Sequence, residues 1–171
     1  MCGRPLLSWT IEAAKQAKSL TQWVVSTEHT QIERVALSYG AHVLHRPQSL
    51  AQDDTTSIAV CKHALEAMEA DNRPFDIVVL LHPTSPIRDP KHIDEAVALL
   101  AQSDAPSLAS VSCNKRCYVH NASIYALKTP LPDNHYSEES IPYLMDRSHA
   151  VDINDETDLR IAECLLSRVR S

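Results

Sequence analysis

Three groups of residues in this chain have the types and spacing to do chemistry. The first is His82-Pro83-Thr84-Ser85-Pro86-Ile87-Arg88. It follows an apolar run at 77–81, and its two prolines fix φ while an imidazole, two hydroxyls and a guanidinium project from it. Such a turn can orient a small anionic substrate. The same residues also suit a rigid strand-to-helix turn, with Asp89-Pro90 opening the next helix. The second group is Asp152, with Asn154, Asp155 and Asp158 close behind. A carboxylate at a strand end can hold Mg²⁺ against a phosphate chain, and Asp152 and Asn154 would share one strand face. Helix capping is the plainer role for Asn154, Asp155 and Asp158. The third group is Arg46-Pro47 with Ser57: a strand-end arginine and a helix-start hydroxyl could read the edge of a base. Cys113-x3-Cys117 with His120 hints at metal, but zinc needs four ligands and no fourth lies nearby.

These groups need elements to hold them. Pro5 opens a helix that apolar spacing carries through 8–19. Residues 23–27 and 41–45 read as short strands around a helix at 30–39, with Gly40 placed just past its end. Asp53-Asp54-Thr55-Thr56 precedes a helix with Ile58, Cys61, Leu65 and Met68 on one face. Residues 71–74 break the chain. Residues 76–81 are the clearest strand, apolar on both alternating faces and so suited to helices on either side. Ile93, Val97 and Leu100 mark the next helix. Strands follow at 107–112 and 123–127, then a polar proline-containing loop at 130–142, a short strand at 150–153, and a last helix with Leu159, Ala162, Leu165 and Val169 inward. Strands alternating with helices predict one α/β domain over 1–171 with a mostly parallel sheet. In such sheets ligands sit beyond the carboxyl ends of the strands, which makes Arg46, 82–88 and 152–155 neighbours.

Composition narrows the classes. A net charge of −6 excludes a general nucleic-acid binder. No apolar run is long enough to cross a membrane. The five cysteines, odd in number and scattered, are no disulfide framework and suit a reducing cytoplasm. There are only two glycines, Gly3 and Gly40, so the usual glycine-rich loop for gripping phosphates is not seen.

The segments, in order, resemble the acylneuraminate cytidylyltransferases, the CMP-sialic acid synthetases and their relatives acting on other nonulosonic acids. Gly3-Arg4-Pro5-Leu6-Leu7 is similar to that family's Gly-Lys-Pro-Leu-Ile helix start, and Val24-Val25-Ser26-Thr27-Glu28 to its second strand. Arg46-Pro47-x-x-Leu50-Ala51-x-Asp53 with Ser57-Ile58 resembles its base-recognition region. Val78-Val79-Leu80-Leu81-His82-Pro83-Thr84-Ser85-Pro86-Ile87-Arg88 is the most specific match. Asn121-Ala122-Ser123-Ile124-Tyr125 resembles its Asn-Gly-Ala-Ile-Tyr strand, and Val151-Asp152-Ile153-Asn154 its metal-binding strand. The resemblance implies a three-layer, Rossmann-like nucleotide-diphospho-sugar-transferase fold. It implies transfer of CMP from CTP to a sugar acid, with release of pyrophosphate and with Mg²⁺. Arg46 and Ser57 would contact cytosine; His82, Pro83, Thr84 and Ser85 the sugar acid; Asp152 and Asn154 the metal.

Four departures accompany it. The family opens with a strand and a triphosphate-gripping loop, and this chain starts just after them. The family's long dimerisation segment is replaced by 113–120. His82 stands for a glutamine, and Asn154 for a second metal aspartate. Two readings follow: a CTP-dependent sugar-acid activator, or an inactive remnant serving as a binding or assembly module. The opening strand lies mid-sheet in the family, so the remaining strands must close up or another chain must fill the slot, giving a homo-oligomer or strand exchange.

Overall fold

The computed structural model describes residues 1–69, 74–114 and 117–169. The break expected at 71–74 lies mostly outside them. Helix α1 is Leu6–Gln16, strand β1 Val25–Thr27, α2 Thr30–Ser38, β2 Val43–His45, α3 Ser57–Glu69, β3 Ile77–Leu80 and α4 Pro90–Ala101. Then come β4 Ser107–Asn114, β5 Cys117–Lys128, β6 Ile141–Leu144 and α5 Glu156–Val169. Single 3₁₀ turns sit at Gln48–Leu50 and Arg147–His149.

Local chemistry explains the clean boundaries. Helix α2 starts where the His29 ring accepts the Gln31 N–H at 3.2 Å. It ends where Gly40, at φ +74°, lets its own N–H reach Leu37 O and the Ala41 N–H reach Ala36 O. That paired closure needs a left-handed residue, which glycine adopts without strain. Pro90 opens α4, and Asp89 N–H donates to His92 Nδ1 at 3.1 Å.

Four strands form one sheet in the order β3-β5-β4-β6. β5 runs against β3 and β4, while β4 and β6 are parallel, so β3, β4 and β6 share one direction. Alternation along β5 sends Ile124 and Ala126 to one core with Ile93, Ala96 and Leu100 of α4, and Leu127 to the other with Ile58 and Cys61 of α3. Both faces are therefore covered, as the mostly parallel α/β reading requires.

The strand expected at 150–153 joins no ladder, and the sheet has instead β6, which begins in the last two residues of the stretch read as a loop. Pro142 did not prevent this because β6 is an edge strand, where a missing N–H costs no ladder bond on the open side. Of the segment 113–120 that stands in place of the family's long one, residues 113–114 and 117–120 are the paired ends of β4 and β5, with Asn114 opposite Cys117. Cys113 and Cys117 are exposed and form no disulfide.

The β4–β5 register shifts between Ala109 and Val111, opposite Asn121-Ala122. Ala122 takes φ +53°, a left-handed conformation that strains a residue with a Cβ. Replacing Ala122 with glycine is expected to stabilise the chain by about 0.5–1 kcal/mol, the relief exceeding glycine's entropic cost. Urea unfolding checks this, and a loss of stability would contradict it.

β1 and β2 form a separate parallel pair. The strands have not closed up. Between β1 and β3 lies a cleft of about 710 Å³, walled by Val24, Ser26, Val79 and Leu81. Helix α1 holds the two sheets apart: Ile11 packs with Ala36 and Ala41 on one side, Ala13 and Ala17 with Ile93 and Leu108 on the other. This is why all four residues of β3 are only half-buried despite being apolar.

Candidate functional site

The turn after β3 is built around Arg88. Only 4 % exposed, its guanidinium donates to His82 O at 2.6 Å, Thr10 Oγ1 at 3.2 Å and Ser123 Oγ at 3.3 Å. Burial lowers its pKa to about 9, which leaves it charged at neutral pH. Arg88 thus faces the interior and holds the turn; it is not the substrate-facing cation the sequence suggested. Ser85 is also turned inward, fully buried, its hydroxyl donating to Asn121 O at 3.4 Å. In this structure the Ser85 hydroxyl braces the turn. Pro83 is exposed and Thr84 half-buried, so both remain at the surface of the turn.

The turn and the acidic segment meet. Ile153 N–H donates to Thr84 O at 2.8 Å. His82 feels the Asp152 charge, and its ring lies 5.7 Å from that of Tyr125. Tyr125 in turn meets His135 edge-on at 4.7 Å. The sequence did not single out Tyr125 or His135 for this site. Tyr125 sat in a quoted motif, but no spacing signal ties residue 135 of a loop to a strand end. His82 and His135 are both held below the ordinary imidazole range, chiefly by burial, as is His92. The unfolded chain therefore binds more protons just below pH 6.5, so stability is complete above that value and falls as the pH drops through the folded pKa values. The melting midpoint is expected to be lower at pH 5 than at pH 7; an unchanged midpoint would contradict this.

Asp152 Oδ1 is buried without a hydrogen-bond partner, while Asn154 Nδ2 lies 3.4 Å from Oδ2. An orphaned carboxylate oxygen is what a cation would satisfy, and Mg²⁺ could take its remaining ligands from water and phosphate; Asn154 turns its Nδ2 toward Asp152 and would offer an oxygen only with its amide reversed. Asp155 and Asp158 have helix-terminus work: Asp155 accepts from Thr157 and Asp158 N–H, and Asp158 from Asn154 N–H.

A second group was not foreseen. Asp89, His92 and His149 bring ligand-type atoms within 4.8 Å of one another. These two histidines are largely buried. His92 Nδ1 accepts a backbone N–H, which leaves the ring's proton on Nε2 and makes that nitrogen a donor. The group therefore reads first as a polar tie between α4 and the 147–149 turn.

Arg46 lies at the end of the other sheet, across the cleft, and its Nε and Nη2 both donate to Glu28. Ser57 is the first residue of α3, half-buried. Nothing in the contacts of His82 or Asp152 joins them to Arg46. The site is thus two halves, with His82 and Asp152 together and Arg46 apart.

A split, mostly parallel sheet with helices on both faces and its polar turns at strand ends defines a nucleotide-diphospho-sugar-transferase-like α/β fold. The chain belongs to the cytidylyltransferase family: the model of that family, described as cytidylyltransferase, matches residues 1–164. It is 33 % identical to the N-acylneuraminate cytidylyltransferase of Escherichia coli over 193 positions, taking in 93 % of this chain and 45 % of the relative. It is 32 % identical to the CMP-N,N'-diacetyllegionaminic acid synthase of Legionella pneumophila over 202 positions, 97 % of this chain and 87 % of the relative. The chain thus spans less than half of the first relative and most of the second. Both matches run over more positions than this chain has residues, so each relative carries residues inside the matched span that this chain lacks. Among solved structures, CMP:2-keto-3-deoxy-manno-octonic acid synthetase complexed with CTP superposes with a TM-score of 0.70 at 13 % identity, over 98 % of this chain and 89 % of that one. That likeness concerns the fold.

Proposed function

We propose that this chain carries the sugar-acid and metal side of a CTP-dependent cytidylyltransferase acting on a nonulosonic acid such as sialic acid. The observation that carries the reading is the orphaned Asp152 oxygen beside His82, in a turn fastened by Ile153 to Thr84. In this reading Asp152 and Asn154 hold Mg²⁺, which when bound neutralises charge on the phosphates. His82, neutral at pH 7, offers one donor and one acceptor to the sugar acid. Pro83 and Thr84 shape the wall beside it, and Arg88 fixes the carbonyl of His82. Arg46 and Ser57 read cytosine from the far side of the cleft. The sugar's anomeric hydroxyl attacks the α-phosphorus of CTP, the bond to the β-phosphate breaks, and pyrophosphate leaves.

The test is pyrophosphate release with CTP, Mg²⁺ and a panel of nonulosonic acids, on the wild type and on His82→Ala. Release dependent on a sugar acid, and lowered about tenfold or more by the substitution, supports the reading. The second reading, a binding or assembly module without catalysis, is favoured by the open cleft. No release with any sugar acid would select it.

A further inference from the structure

Glu28 and Arg46 are each the first residue beyond a strand of the β1–β2 pair. The register sets Thr27 opposite His45, so the two side chains leave the same sheet end together. The backbone there is fixed from both sides. Arg46 N–H donates to Thr27 O at 3.0 Å, and Pro47 after it keeps Arg46 out of the helical region. His29 N–H donates to Thr27 Oγ1 at 3.1 Å, which holds the exit from β1.

The backbone cannot fix the guanidinium, which hangs at the end of a long rotatable stem. Glu28 does so. Arg46 Nε donates to Glu28 Oε2 at 3.1 Å, and Nη2 donates to the same oxygen. The Nε–Nη2 edge of the planar group is thereby filled. The Nη1–Nη2 edge is left open, since among the described residues Arg46 makes no other side-chain hydrogen bond. The two side chains are 22 % and 25 % exposed, so a ligand can reach that edge. Arg46, and then Glu28's own N–H, hold the Glu28 carboxyl below the usual carboxylate range, so the pair is charged at neutral pH.

The open edge presents two parallel N–H donors, which need two adjacent acceptors. Neutral cytosine has them at O2 and N3. Uracil carries a hydrogen on N3 and sets a donor against a donor. A guanidinium free to rotate can offer a single N–H to either base, so it selects cytosine only when it is held.

We propose that Glu28 is a positioning residue for base selection: it takes up the Nε–Nη2 edge of Arg46 and so aims the Nη1–Nη2 edge at the O2 and N3 of cytosine. This rests on the reading of Arg46 as a cytosine contact and adds what makes that contact selective.

The experiment is isothermal titration of CTP, and separately UTP, with Mg²⁺, into the full chain and its Glu28→Gln, Glu28→Ala and Arg46→Ala variants. The wild type is expected to bind CTP about tenfold or more tighter than UTP, as one bidentate pair allows. Glu28→Ala is expected to cut that ratio to about threefold or less by weakening CTP and leaving UTP unchanged. Glu28→Gln, which keeps an acceptor oxygen without the charge, is expected to fall between. A merely structural role would weaken both nucleotides alike. If Arg46→Ala keeps the wild-type ratio, or the wild type binds neither nucleotide, the base-contact reading fails and the proposal with it. If Arg46→Ala loses the ratio while both Glu28 variants keep it, the proposal alone fails. Tighter CTP binding by Glu28→Gln would also overturn it, because the carboxylate would then be competing with the base for Arg46.

Discussion

Replacing Arg88 with alanine is expected to lower the stability of this chain by about 3–5 kcal/mol, read from urea unfolding. The guanidinium is buried and serves three acceptors on three elements: Thr10 on α1, Ser123 on β5 and the carbonyl of His82 at the end of β3. Hydrogen bonds from a charged donor are each stronger than neutral ones, and alanine leaves the acceptors unpaired around a cavity. Lysine keeps the charge but lacks the planar fork, so Arg88→Lys should still lose about 2 kcal/mol. No carboxylate pairs with Arg88 in the contacts described, so the effect comes from hydrogen bonding and packing. A loss under about 1 kcal/mol for alanine would show that the turn holds itself. Because the residue fixes His82, the same variant should also weaken any sugar-acid response.

Asp152→Asn is expected to act with opposite signs on stability and on function. Without metal, the buried Oδ1 is a charge acceptor with no donor, so removing the charge should stabilise the chain by about 1 kcal/mol. With Mg²⁺ and CTP, the wild-type melting midpoint should rise and that of the variant should not, and sugar-acid-dependent pyrophosphate release should fall about 100-fold or more. A variant that keeps the Mg²⁺ response would remove Asp152 from the metal site. A variant less stable than wild type without metal would mean that Oδ1 has a structural partner.

Much of this was legible where the cause is local. Gly40 marked the end of α2 because its left-handed turn is a property of one residue. Pro90 marked the start of α4, and the apolar run of β3 announced helices on both faces. The departures are non-local. β6 starts at the end of a stretch that reads as a polar proline loop, and its pairing depends on the edge that β4 offers. Arg88 and Ser85 sit in a turn whose residue types suit binding. Which side of the turn a side chain takes depends on Thr10, Asn121 and Ser123, far off in sequence. Asn121 itself was read as part of an ordinary strand, yet the register shift turns it inward, 5 % exposed, onto Ser110. His92 and His149 meet across α4 and the turn before Asp152, a proximity that no spacing rule would find. How β1 and β3 sit relative to one another was not legible. Packing of α1 against both sheets keeps the cleft open where strand closure was one expectation.

The two halves of the site make the central claim testable by one measurement: isothermal titration of CTP, and separately CMP, into the purified chain with and without Mg²⁺. The account predicts saturable CTP binding that strengthens with Mg²⁺, through Asp152 and Asn154, and weaker CMP binding through Arg46 and Ser57 alone. If neither nucleotide binds with Mg²⁺ present, the nucleotide site is not functional in this chain and the cytidylyltransferase reading fails.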